Sequence, residues 1–319
     1  MRLAKFIAVV FLCVSAAVTF AWFAFPETSS GVLLRLNNAR AGLSEKSITT
    51  PISDVAYLEG GSGQKVVLIH GIFSRKEHWV DFARRLTDDY QVIVIDLPGF
   101  GDNGLLPDSE YALQKQSENL SAVFDALELS DVHVGANSMG ASIIAQIAVE
   151  QPDRIASLAF IGSPLGVTSP TLSDMERAIA EGKTPLLVRS QEEFEGRNSW
   201  LSPNGISVPQ PILTTWMHAE LAQVEKNARI WAVVHDENPV PDLLELAPKL
   251  NMPTQILWCT EDRIFHVNGA AVLARKLSSA KLDVLDNCGH VPMVDAPEET
   301  AMRYLNFLTS LRTSIKPTD

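Results

Sequence analysis

Ser138 stands in Ala136-Asn137-Ser138-Met139-Gly140, between a β-branched run and an apolar helical stretch. Small residues two before and two after it permit a strained strand-to-helix turn that pushes the hydroxyl into the open. The helix from Met139 onward adds its dipole and free amides beside that hydroxyl. A serine at such a place is otherwise an ordinary helix cap, so the reading as a nucleophile depends on partners. A serine hydroxyl attacks only when a base takes its proton, and the base needs a third group to orient it. His290, in Asn287-Cys288-Gly289-His290-Val291-Pro292, follows the last expected strand; Asp262, in Trp258-Cys259-Thr260-Glu261-Asp262, follows the one before. Glu261 and Asp286 are the spare acids. Of the seven histidines, only His290 has this placement. His70 ends a strand before a glycine turn and suits tying loop backbones together; His78, His133, His218, His235 and His266 read as surface or packing residues. Acyl transfer also needs amides aimed at a developing oxyanion. Those expected are Met139 and, in Gly71-Ile72-Phe73, Ile72.

Elements must bring these residues together. Short β-branched runs at 65–70, 91–96, 131–136, 155–161, 254–258 and 281–285 alternate with helical stretches at 77–86, 111–127, 139–150, 270–277 and 297–311. Continuous apolar strands alternating with helices predict a parallel sheet covered on both faces. Pieces at 46–50 and 55–59 alternate more and predict an antiparallel leading edge, giving an eight-stranded, mostly parallel α/β sheet. Ligands in such sheets gather at the carboxyl ends of strands, where Ser138, Asp262 and His290 all fall. Asp96, with Pro98, Gly99 and Gly101, reads as a loop-setting residue beside them. From 163 to about 250 no comparable strand occurs, far more than a normal connection. Helical pieces at 172–181, 190–197, 211–227 and 239–250 predict an inserted cap. The expected organisation is a core at 46–163 and 251–319 interrupted by a cap at 164–250. Phe73, Leu165, Trp200, Leu201, Val291 and Met293 are the expected pocket residues. Leu186, Leu187, Ile212, Leu213 and Trp216 of the cap join them along an acyl channel.

The front end is a separate object. Phe6 to Phe25 carries no charge and follows Arg2 and Lys5. At 1.5 Å per residue it spans roughly 30 Å, a bilayer core. Residues 1–25 are therefore expected to be an uncleaved anchor. A cleavable signal with Val14-Ser15-Ala16 as its site is the rival reading. Arg2 and Lys5 favour a cytoplasmic N-terminus and a catalytic domain on the opposite, periplasmic or lumenal side. Residues 26–45 read as linker chemistry from Pro26 to Gly31, then a short helix either at the headgroup level or docked on the main domain. The whole chain has 26 basic and 38 acidic residues; without Arg2 and Lys5 the body keeps 24 against 38, a net −14. Such a body repels phosphate backbones, so nucleic acid is a poor partner. Three cysteines are too few for a disulfide scaffold. No metal cluster, cofactor motif or obligate protein partner is expected; Gly60-Gly61-Ser62-Gly63 is a turn without the lysine and hydroxyl of a phosphate loop.

The pieces HG at 70–71, DLPGFG at 96–101, ANSMG at 136–140, a tryptophan four before Asp262 and GHVPM at 289–293 resemble the α/β-hydrolase superfamily. The order Ser, Asp, His is also the one expected there. Beyond about residue 250 the chain resembles the membrane-anchored monoacylglycerol lipases and related bacterial lipases. That resemblance implies hydrolysis of lipid esters, with a cap and an anchor presenting the pocket to the bilayer. Ala136 and Ala141 depart from the usual glycines around the elbow, and Cys259 from the glycine after Trp258. Cys259 and Cys288 end neighbouring strands; two free, buried thiols are the expectation, with a disulfide on the far side of the membrane as the alternative. A carbon–carbon bond hydrolase of ring-cleavage products and a non-catalytic lipid-binding protein on the same fold are the competing readings.

Overall fold

A computed structural model describes residues 2–314; residues 315–319, assigned above to the second part of the core, lie outside the described residues. Eight strands form one sheet in the order β1-β2-β4-β3-β5-β6-β7-β8. β1 (Leu43–Thr49) and β2 (Asp54–Gly60) are antiparallel, and β2 also runs antiparallel to β4 (Gln91–Ile95). β3 (Lys65–Ile69), β4, β5 (Val132–Asn137), β6 (Ile155–Pro164), β7 (Thr254–Cys259) and β8 (Ala280–Leu285) run parallel.

The strands alternate their allegiance with the period of two that pleating imposes. Val67, Ile69, Ile93, Ile95, Val134 and Phe160 join one apolar cluster, while Val66, Leu68, Val92, Val94, Ala159 and Ile161 join the other. Both faces are covered, so both sets are apolar and the strands read as continuous hydrophobic runs. β8 is an edge strand whose Leu282 and Val284 stay exposed.

Helix α1 (Arg2–Ala24) contains Lys5–Ala24, a stretch long and apolar enough to cross a membrane by length and composition. α2 spans Pro26–Arg40. The segment read as linker, 26–31, is therefore helical: proline at the first helical position costs no hydrogen bond, and Glu27 complements the helix dipole. α2 lies against β1 and along a helix of the insertion, so it is docked. The stretch expected as one helix at 77–86 is a 3₁₀ turn, Lys76–Trp79, followed by α3 (Val80–Ala83). α4 (Leu113–Ala126) and α5 (Ser138–Glu150) cover one face of the sheet.

Between β6 and β7 come α6 (Asp174–Ala180), α7 (Gln191–Leu201), α8 (Gln210–Leu221), α9 (Val224–Ala232) and α10 (Leu243–Leu246). No strand interrupts them among the described residues. α6 opens with a full capping box from Ser173 and Glu176, and α8 is the helix against which α2 lies. α11 (Asn268–Ala274), α12 (Pro292–Asp295) and α13 (Pro297–Ser314) complete the chain.

Candidate active site

Ser138 has φ +54, a left-handed backbone uncommon for a residue with a Cβ. The strain is maintained by close packing at two glycines. A Cβ on Gly71 would lie 2.8 Å from the Ser138 Cβ, and one on Gly140 would collide with the His70 carbonyl. The elbow is also tied to its neighbours. Leu165 N donates to the Ser138 carbonyl at 3.2 Å. Asn137 Nδ2 donates to the carbonyls of Ile161 at 2.9 Å and His290 at 3.0 Å. Asn137 thus joins three strand ends, a role the sequence reading did not give it.

His290 and Asp262 meet as their positions suggested. His290 Nδ1 lies 3.3 Å from Asp262 Oδ2, and both residues are buried. Asp262 Oδ1 accepts from Ile264 N at 2.9 Å and Phe265 N at 3.1 Å, which fixes the carboxylate plane. The spare acids, Glu261 and Asp286, are exposed. Ser163, unremarked in the sequence, places its Oγ 2.8 Å from His290 Nδ1 and 2.5 Å from Asp262 Oδ2.

Cys259 and Cys288 are joined by a disulfide, which corrects the expectation of two free thiols. Asn287, at φ +58, turns the chain after β8 so that Cys288 meets the end of β7. The bridge lies three residues before Asp262 and two before His290, so it fastens the acid loop to the histidine loop. It closes a sequence separation of 29 residues, a loop for which a bridge contributes about 3.6 kcal/mol. Replacing both cysteines by alanine is expected to lower the melting temperature by several degrees and to reduce turnover. Thermal melts and kcat of the double variant check this; unchanged values of both would mean that the bridge holds nothing the loops need.

The loops beneath the site are set by buried polar groups. His70 accepts from Leu97 N at its Nε2 (3.0 Å), which leaves Nδ1 to donate to the Gly71 carbonyl (2.7 Å). Burial pushes its pKa down, consistent with a neutral ring tying two loops. Asp96 accepts from Lys76 N (2.7 Å), Lys76 Nζ (2.9 Å) and Asp102 N (3.0 Å). Glu77, Asp96 and Asp102 bring three carboxylates together in a pattern that a metal ion could use. The Lys76 ammonium already bonds all three. Burial pushes the Glu77 carboxyl up to about 7, helped by Asp96 and Asp102 against the opposing pull of Lys76.

Two cavities meet at Ser138. The larger encloses about 870 Å³, mouth included, and is lined by Ile72, Phe73, Leu201, Leu213, Trp216, His290 and Val291. Arg75, His78, Arg197 and Glu220 also face it. Arg75 stacks over Trp216 at 4.7 Å, and Arg197 pairs with Glu220 through both ends of its guanidinium. His78 accordingly belongs to the site rather than to the surface; burial, then Arg75, pushes its pKa down to about 3. The smaller cavity, about 470 Å³, is nearly all apolar and is lined by Ile72, Met139, Leu165, Met175, Leu186, Trp231 and Phe265.

Two expected pocket residues lie elsewhere. Met293 is fully buried in the cluster that includes Ala301, Tyr304 and Phe307 and is not among the residues lining either cavity. Trp200 is not among the residues lining either cavity, and its ring carries the Arg263 guanidinium at 4.3 Å. Of the cap residues, Leu187 packs in a small cluster with Met175 and Trp231, and Ile212 is buried.

The family model of the alpha/beta hydrolase family matches residues 66–303. Among curated relatives, lipase 1 of Psychrobacter immobilis is 27% identical over 283 residues, covering 88% of this chain and 88% of that one. The monoacylglycerol lipase ABHD6 of Mus musculus is 25% identical over 260 residues, covering 79% and 77%. Among solved structures, a membrane phospholipase A described as a bacterial virulence factor superposes with a TM-score of 0.86 at 33% identity, covering 98% of this chain and 99% of that one. With its sheet order, its strained serine elbow and a family match over most of its length, the chain belongs to the alpha/beta hydrolase family.

Proposed function

We propose that the protein is a serine hydrolase of lipid carboxylic esters, acting on monoacylglycerol or a similar acylglycerol. The observation that carries this reading is the meeting of an apolar cavity and a wider, polar-rimmed one at a single strained serine. In the proposed path Ser138 attacks the ester carbonyl while His290 takes its proton and Asp262 holds the ring. The amides of Ile72 and Met139 receive the oxyanion, the alcohol leaves with the proton, and water releases the acyl group. The apolar cavity, with Leu165 and Met139, takes the acyl chain. The wider cavity, with Phe73, Leu201 and Val291, takes the glycerol side. No cofactor enters this path.

The α1 helix serves in this reading as a membrane anchor that delivers the pocket to its substrate. The net −14 of the body argues against docking by attraction to anionic lipid. Arg2 and Lys5 hold the N-terminus in the cytoplasm, and the Cys259–Cys288 bridge suits a domain on the oxidising, periplasmic or lumenal side. The test is an activity panel of monoacylglycerols, phospholipids and short soluble esters on the full-length protein in detergent micelles. Monoacylglycerols are expected to be turned over fastest. A preference for phospholipids would shift the head group toward that of the phospholipase relative, and a preference for short soluble esters would overturn the lipid assignment.

A further inference from the structure

Resting on the proposed roles of Ser138 and His290, we propose that Ser163 is a positioning residue whose hydroxyl bonds both Asp262 and His290 beside their longer direct contact and holds the two in register. His290 Nδ1 is 2.8 Å from Ser163 Oγ but 3.3 Å from Asp262 Oδ2. The first is a good hydrogen bond and the second a long one. A serine hydroxyl has one hydrogen to give. An ionised carboxylate only accepts, so at 2.5 Å that hydrogen goes to Asp262 Oδ2. The Ser163 oxygen then has only lone pairs left for the imidazole, and His290 Nδ1 must be the donor. The proton therefore sits on Nδ1, and the lone pair of Nε2 is free for the side of the ring away from the acid. This is the tautomer a base needs to take the proton of Ser138.

The hydroxyl is firmly held. Ser163 is fully buried. It follows Gly162, whose φ is +78, and precedes Pro164, which pairs with Ser138 in an isolated bridge. Asn137 clasps Ile161 on one side, and Leu165 N bonds the Ser138 carbonyl on the other. Ser163 thus rides on the same strand end that braces the nucleophile. A displacement of Ser138 and a displacement of the His290–Asp262 contact are coupled through it. When His290 accepts the proton at Nε2, Ser163 keeps its own hydrogen on Asp262. The new positive charge then lies beside the carboxylate, with the Ser163 hydroxyl bonded to both partners of the 3.3 Å contact.

The test uses the full-length enzyme with one ester substrate across pH 5–9. Ser163→Ala is expected to lower kcat by about 10–100-fold, the scale of a misplaced catalytic group, with KM within about twofold of the parent. Losing its short acceptor makes the imidazolium less favourable, so the acidic limb of kcat/KM is expected to move to lower pH. Ser163→Thr, which keeps the hydroxyl, is expected to restore the limb; should its extra methyl prevent folding, Ser163→Cys gives an intermediate limb. Active-site titration with a fluorophosphonate corrects each rate for the folded fraction. A parental kcat and limb in Ser163→Ala would overturn the relay, and so would a fall in kcat with the limb unmoved, since that is mere packing. Ser138→Ala in the same assay separates the two readings: if it keeps substantial turnover, the nucleophile assignment fails, and if it falls to the residual level while Ser163→Ala is parental, only the relay fails.

Discussion

Ser138→Ala is expected to abolish ester hydrolysis, with kcat falling by on the order of 10⁴–10⁶, the loss seen when a serine nucleophile is removed from its triad. The melting temperature is expected to stay within a few degrees of the parent. Alanine keeps the Cβ and inherits the same left-handed backbone at φ +54. A Cβ placed on Gly71 would meet the Ser138 Cβ at 2.8 Å and its oxygen only at 3.4 Å, so the tight packing here involves the Cβ that alanine keeps. Residual turnover would come from the Ile72 and Met139 amides acting on bound ester with water as nucleophile. The measurement is kcat on a long-chain ester beside a thermal melt and fluorophosphonate labelling of the parent. Substantial turnover by folded Ser138→Ala would place the nucleophile elsewhere. Failure of the folded parent to label at Ser138 would favour a lipid-binding protein without catalysis.

Much of the scaffold was legible because burial on both faces leaves an unambiguous signature. KVVLI, QVIVI and TQILW have no polar face to offer, so only a covered parallel sheet accommodates them. Ser138 and Asp262 were legible as candidates because each closely follows such a run, and His290 because it lies in the loop after the last strand, Ala280–Leu285. What remained hidden depends on approach in space. Ser163 is 99 residues from Asp262 and 127 from His290, and nothing local distinguishes it from any buried serine. Cys259 and Cys288 look alike in sequence as free thiols or as a bridge; the turn at Asn287 decides. Met293 and Trp200 carry suitable side chains, but their direction depends on the phase of short helices. Pro26 reads as a breaker in a linker, yet at the first turn of α2 it is a helix starter.

Lys76 is the largest feature the sequence concealed, since KEHW reads as one turn of an amphipathic surface helix. Lys76→Met is expected to destabilise the fold by about 3–5 kcal/mol, the cost of removing one partner from a buried charge cluster. That corresponds to a drop in melting temperature on the order of 10 °C for a domain of this size. The side chains of Asp96 and Glu77 are 0% and 5% exposed and would lose their cation without gaining water. Asp102, at 54%, would rehydrate and contribute little. Glu77 supplies the sign of the pH dependence. Its folded pKa is already raised to about 7, above the ordinary carboxyl value of 4.5, so folding favours its protonated form. Between those values the penalty for ionising it grows as pH rises. Without the opposing pull of Lys76 the Glu77 carboxyl is pushed higher still, so the deficit of Lys76→Met should be largest near pH 8 and shrink toward pH 5. Adding Asp96→Asn removes one stranded charge while keeping an acceptor for the Lys76 backbone amide, and is expected to recover part of the loss. Thermal melts of the two single variants and the double variant at pH 5 and pH 8 form the cycle. A parental melting temperature for Lys76→Met at pH 8 would mean that water reaches this cluster. Activity should fall with stability, because the segment from Gly71 to Lys76 carries Ile72 past Ser138, and the Lys76–Asp96 pair is what holds its far end.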